Sequence, residues 1–63
     1  MKILRLRQVE EMTGLRRSAI YQRIADGRFV KPVKLGPQAV GWLESEVTAW
    51  LKSRIAERDA ANA

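Results

Sequence analysis

Five polar side chains crowd one short stretch of this chain: Arg16, Arg17, Ser18, Tyr21 and Gln22. None is a nucleophile beside a base, so their chemistry is recognition. An arginine can bridge guanine O6 and N7 or clamp a phosphate, a glutamine can pair with adenine, and serine or tyrosine hydroxyls suit phosphate oxygens. Two arginines at a helix start also oppose the helix dipole, which favours negative charge there. A helix face that met only solvent would more often carry Asp or Glu, so the misfit points to a polyanionic partner. Further along, Lys31, Lys34 and Gln38 form a second group suited to a phosphate backbone. Lysines on an exposed edge strand equally discourage edge-to-edge pairing.

The elements that must position these groups can be read from periodicity. Val9 and Met12 are spaced for one face of a first helix over residues 8–12, and Ile20 and Ile24 for one face of a second over 17–25. Between them Gly14 can adopt the left-handed conformation that lets the chain turn sharply, and Leu15 plugs the corner where the two stripes meet. This pattern is a helix-turn-helix over residues 7–26, whose second helix carries base-reading side chains near its N-terminus. Leu6 falls just before the first helix, as an apolar staple, and no good N-cap residue precedes it. Before that, residues 1–6 alternate too loosely for a clean strand and allow a short extended segment.

Asp26-Gly27 stops the second helix, and the texture then changes. Residues 28–35 hold β-branched and aromatic side chains, Pro32 forbids a helix, Gly36-Pro37-Gln38 signals a turn, and residues 39–42 read as a returning strand. A hairpin directly after a helix-turn-helix is a wing, here residues 28–42, with Lys31 and Lys34 on its first strand and Gln38 at its tip. Phe29, Val33, Val40 and Trp42 are expected in the core. A third helix over 46–58 has Ser45 as N-cap and a stripe of Val47, Trp50, Leu51 and Ile55, with the two tryptophans carrying most of the core and residues 59–63 frayed. The expected fold is therefore mainly α with a small β-hairpin, a winged helix-turn-helix in a single domain over residues 1–63.

Charge supports the same partner. The 63 residues carry a net charge of +5, and residues 1–43 alone hold +6 against −1 for residues 44–63. The positive field thus belongs to the helix-turn-helix and wing, which suggests a nucleic acid, although ribosome-associated and membrane-surface proteins are basic too. With neither cysteine nor histidine there is no disulfide and no ordinary zinc site, and no cofactor is expected. Scattered carboxylates and the lack of a glycine-rich phosphate loop argue against an enzyme. No apolar run is long enough to cross a bilayer and no leader is apparent, so a cytoplasmic protein is the simplest expectation.

The wording of three segments, TGLRRSAIYQRIADGRF, KPVKLGPQAVGW and WLESEVTAWL, at this spacing resembles the AlpA family of small phage and prophage regulators. The resemblance covers residues 4–58. It implies a compact winged helix related to the MerR DNA-binding domain and to phage excisionases, with double-stranded DNA as partner. It also implies Arg17, Ser18, Tyr21 and Gln22 as the recognition-helix face and residues 34–38 as the wing. Arg16 stands where relatives often have serine, and Gln38 where they are often basic. The implied activity is regulation of prophage or integrase-linked transcription. Independently of the resemblance, one small module reads few base pairs, so a homodimer or cooperative multimer on DNA is expected. An excisionase-like factor that bends DNA and a protein-binding adaptor are the alternative readings.

Overall fold

The computed structural model describes residues 1–62. Its first helix, α1 (Leu6–Thr13), begins two residues earlier than its apolar spacing suggests. Leu6 is the first helical residue, not a staple ahead of it. The reason is Gln8, whose Oε1 accepts the Arg5 N–H at 2.9 Å. The guanidinium of Arg5 offers no acceptor in return, so only that half of a reciprocal cap is made. Val9 is fully buried whereas Met12 is exposed. Thr13 takes the position expected of Met12: it is half-buried, its Oγ1 donates to the Val9 carbonyl at 2.7 Å and accepts the Leu15 N–H at 3.2 Å. Gly14 then turns the chain at φ 73°, its N–H donating to the Glu10 carbonyl at 2.8 Å.

The second helix, α2 (Arg17–Ala25), has the bounds its pattern predicts. Ile20 is fully buried, and Leu15 and Ile24 pack against the core. Beyond Asp26 the chain leaves the helix through Gly27 at φ 71°, with Gly27 N–H donating to the Ile24 carbonyl and Arg28 N–H to the Arg23 carbonyl. Those crossed bonds satisfy carbonyls that the last turn would leave orphaned.

Three short strands follow the order β1-β3-β2, all antiparallel: β1 (Ile3–Leu4), β2 (Val33–Gly36) and β3 (Ala39–Leu43). The expected hairpin is thus the larger part of a three-stranded sheet, completed by the N-terminal segment through Ile3↔Leu43 and Leu4↔Trp42. Pro37 and Gln38 form the turn, and no residue there has positive φ. The primed turns that suit a two-residue hairpin need positive φ, so the register instead shifts between Lys34 and Gly36. Lys31 precedes β2 and is not on the strand, which is a correction to its expected placement. Val33 is also exposed, because it pairs with Gly41 on the sheet face turned away from the helices.

The final helix, α3 (Glu44–Asn62), continues directly from β3. Ser45 is inside it and does not cap it. The Glu44 N–H donates to the Lys2 carbonyl at 2.9 Å, so the residue just before β1 supplies an acceptor at this end. Glu44 and Glu46 place negative charge in the first turn. Residues Asp59 to Asn62 are helical, not frayed, though fully on the surface, and Ile55 is exposed. Ala63, the last residue of the expected frayed tail, lies outside the described residues.

Leu4, Val9, Ile20, Phe29, Trp42 and Val47 form the core. Of the two tryptophans only Trp42 is fully buried; Trp50 is half-buried and stacks edge-on against Phe29 at 4.7 Å between ring centroids. Both indoles hold the connection between α2 and β2. Trp42 Nε1 donates to the Val30 carbonyl at 3.1 Å and Trp50 Nε1 to the Arg28 carbonyl at 2.9 Å. The sheet and α3 thereby fix where the wing leaves the second helix. No helix among the described residues is long and apolar enough to cross a membrane.

Candidate nucleic-acid interface

Arg16, Arg17, Ser18, Tyr21 and Gln22 are all exposed along the first two turns of α2. Helical spacing sets Ser18 and Gln22 on the outermost side, with Arg17 and Tyr21 one turn apart along the border of the Ile20–Ile24 stripe. Arg16 is the N-cap residue in extended conformation, φ −85° and ψ 163°, and makes no cap bond, because a guanidinium has no acceptor. The first-turn amides of α2 therefore face outward without a side-chain partner from Arg16. Uncapped amides at the positive end of a helix suit phosphate oxygens.

Gln22 has a polar side-chain neighbour in Asp26, the residue that ends the helix. Its Nε2 lies 3.5 Å from each Asp26 carboxylate oxygen, at the long limit for a hydrogen bond. The Tyr21 ring leans edge-on toward Trp42, with centroids 6.4 Å apart, and the Arg17 guanidinium lies 5.9 Å from its centroid.

The wing residues are exposed as well. Lys34 pairs with Val40, which shares a face of β3 with Trp42 and so points to the side where α2 packs. Lys34 and the exposed start of α2 thus belong to one side of the sheet. Gln38 occupies the hairpin tip, and Lys31 lies in the connection before Pro32. Neither is shown touching α2.

Among the described residues the ion pairs all lie outside this region, where Arg5 and Lys52 alone of the cationic side chains have no such partner. Lys2–Glu44, Arg7–Glu11, Arg54–Glu57 and Arg58–Asp59 are paired at 2.7 to 3.7 Å. Among the described residues, none of the six cations from Arg16 to Lys34 has such a partner. Two of those six, Arg23 and Arg28, escaped the sequence reading of the site. Arg23 sits in the last turn of α2, where a cation complements the dipole, and Arg28 is exposed just after it. The only signal for them in the sequence is the regional charge balance, with Asp26 the single acid between residues 12 and 43.

The family profile for the prophage CP4-57 regulatory protein (AlpA) matches residues 2–55. An uncharacterized protein of Enterobacteria phage P4, ORF88, is 49% identical over 57 residues, 90% of this chain. The chain spans only 65% of that phage protein's length. The DNA-binding transcriptional activator AlpA of Escherichia coli K12 is 39% identical over 59 residues, 84% of each chain.

Proposed function

Because the chain belongs to the AlpA family of prophage regulatory proteins, we propose that it is a regulator of transcription that binds double-stranded DNA. In this reading the N-terminal half of α2 enters the major groove. Arg17 and Gln22 read base edges, Arg16 and Ser18 hold phosphates, and Tyr21 lies at the same face. The wing, through Lys31, Lys34 and Gln38, follows the flanking backbone. Prophage or integrase-linked genes are the proposed targets.

The observation that carries the reading is the unpaired positive surface. Six cations between Arg16 and Lys34 lack ion-pair partners among the described residues, while the cations of the distal half of α3 are largely neutralised. A surface of this kind attracts a polyanion. One small module reads few base pairs, so binding to repeated sites as a dimer or cooperative multimer is part of the proposal.

Selection of bound sequences from a random duplex pool tests it, followed by affinities on the selected and scrambled sites across a salt series. A defined site whose affinity falls steeply as salt rises supports the reading. Binding that is insensitive to salt, or no enrichment of any sequence, would contradict it. On the selected site Arg17→Ala should lose about 1–3 kcal/mol and relax preference at one or two base pairs.

A further inference from the structure

We propose that Tyr21 is a positioning residue for sequence readout: its ring, braced against Trp42, holds the Arg17 guanidinium ready for a base edge. The inference rests on the DNA-binding reading above and assigns Tyr21 a different role from its hydroxyl chemistry.

Arg17 is the first residue of α2 and meets the positive end of the helix dipole. It has no ion-pair partner among the described residues, and a side chain so placed would sample many rotamers. What it does have is the face of Tyr21, one turn on, at 5.9 Å from guanidinium carbon to ring centroid. That separation lies within the range where the ring quadrupole attracts a cation. Residues four apart on a helix meet in this way.

The ring is itself held. It is 38% exposed, so one part of it is packed, and its neighbour at 6.4 Å and 63° is the indole of Trp42. Trp42 is fully buried on the central strand and fixed by its hydrogen bond to the Val30 carbonyl. A chain of contacts therefore runs from the wing's root through Trp42 and Tyr21 to Arg17. Preorganisation of that kind reduces the ordering cost paid when a side chain meets its target. The ring, not the hydroxyl, does this.

The test compares Tyr21→Phe, Tyr21→Leu, Arg17→Ala and the Arg17→Ala/Tyr21→Leu double variant for affinity and base preference on the selected duplex, with thermal unfolding run alongside. The expected result is that Tyr21→Phe keeps wild-type preference. Tyr21→Leu should lose affinity about two- to fivefold, with relaxed preference at the same base pairs as Arg17→Ala. The double variant should match Arg17→Ala alone. A loss in Tyr21→Phe equal to that of Tyr21→Leu would assign the residue to phosphate contact through its hydroxyl and overturn the proposal, as would additive losses in the double variant. The Phe comparison holds even if the Leu variant fails to fold. Ring-current shifts of the Arg17 side-chain protons in free protein separate the two levels of inference. Shifts absent while DNA is bound specifically overturn the positioning role alone, whereas shifts present in a protein that binds no duplex overturn the regulator reading and the positioning role with it.

Discussion

Gly41 stands in the middle of the central strand, and its replacement by alanine is expected to destabilise the protein although alanine normally suits a folded chain better. An added Cβ would sit well inside van der Waals contact with Ile3 Cγ2, and 3.1 Å from both Leu35 Cδ1 and the Leu4 carbonyl oxygen. Reduced freedom of the unfolded chain would favour alanine by about 0.4–1 kcal/mol. Overpacking of a tight site costs roughly 1–3 kcal/mol, and one of the three neighbours is backbone that cannot rotate aside. The net expected loss is about 1–2 kcal/mol, a large share of the ~3–9 kcal/mol available to a chain of this length, and equivalent to a midpoint about 5–15 °C lower. Thermal and urea unfolding followed by circular dichroism measure it. Gly36→Ala is the control, since its Cβ would meet nothing closer than Ala39 Cβ at 3.9 Å, and it should stay within about 0.5 kcal/mol of the parent. Adding Ile3→Ala to Gly41→Ala should cost less than the two single losses together by about 1 kcal/mol. Equal stability of Gly41→Ala and the parent would refute the packing of β1 across β3 on which the calculation depends.

Other perturbations separate the remaining elements. Lys34→Ala should weaken binding to selected and scrambled duplexes alike and reduce the salt slope by about 1, as measured by fluorescence anisotropy across a salt series. Gly14→Ala should cost about 1 kcal/mol or slightly more in chemical unfolding, through backbone strain at φ 73° alone, because no atom lies within 4 Å of the new Cβ. Trp50→Phe keeps an aromatic against Phe29 but removes the bond to the Arg28 carbonyl. A loss of about 0.5–1.5 kcal/mol in unfolding is expected, and no change would remove the indole N–H from the account of how the wing is rooted.

The parts of the fold legible in the sequence are those governed by local chemistry. Gly14, Asp26-Gly27 and Pro37 announce their turns because backbone conformation there is limited by the residues themselves, and α2 consequently begins and ends where its pattern says. The parts that were not legible depend on a partner distant in sequence. Residues Ile3 and Leu4 become a strand only because β3 is available to them, and Lys2 just before that strand offers Glu44 N–H an acceptor, so the helix expected to begin after Ser45 begins before it. Periodicity chose Met12 for the inner face of α1, but Thr13 bonds its own backbone and packs there instead. Val33 has the composition of a core residue, and its place opposite Gly41 on the outer face follows from register, which composition does not encode. At the site, residue types named the exposed face of α2 correctly as a surface and helical spacing sets Arg17 beside Tyr21, while the bracing of Tyr21 by Trp42 depends on a strand distant in sequence.

Titration of the isotope-labelled protein with its selected duplex, followed by backbone amide chemical shifts, tests the central claim most directly. The account predicts that the largest changes fall on residues 16–22 and 31–38, with the distal turns of α3 from Arg54 onward unchanged. Changes centred on α3, or none anywhere in low-salt buffer, would contradict it.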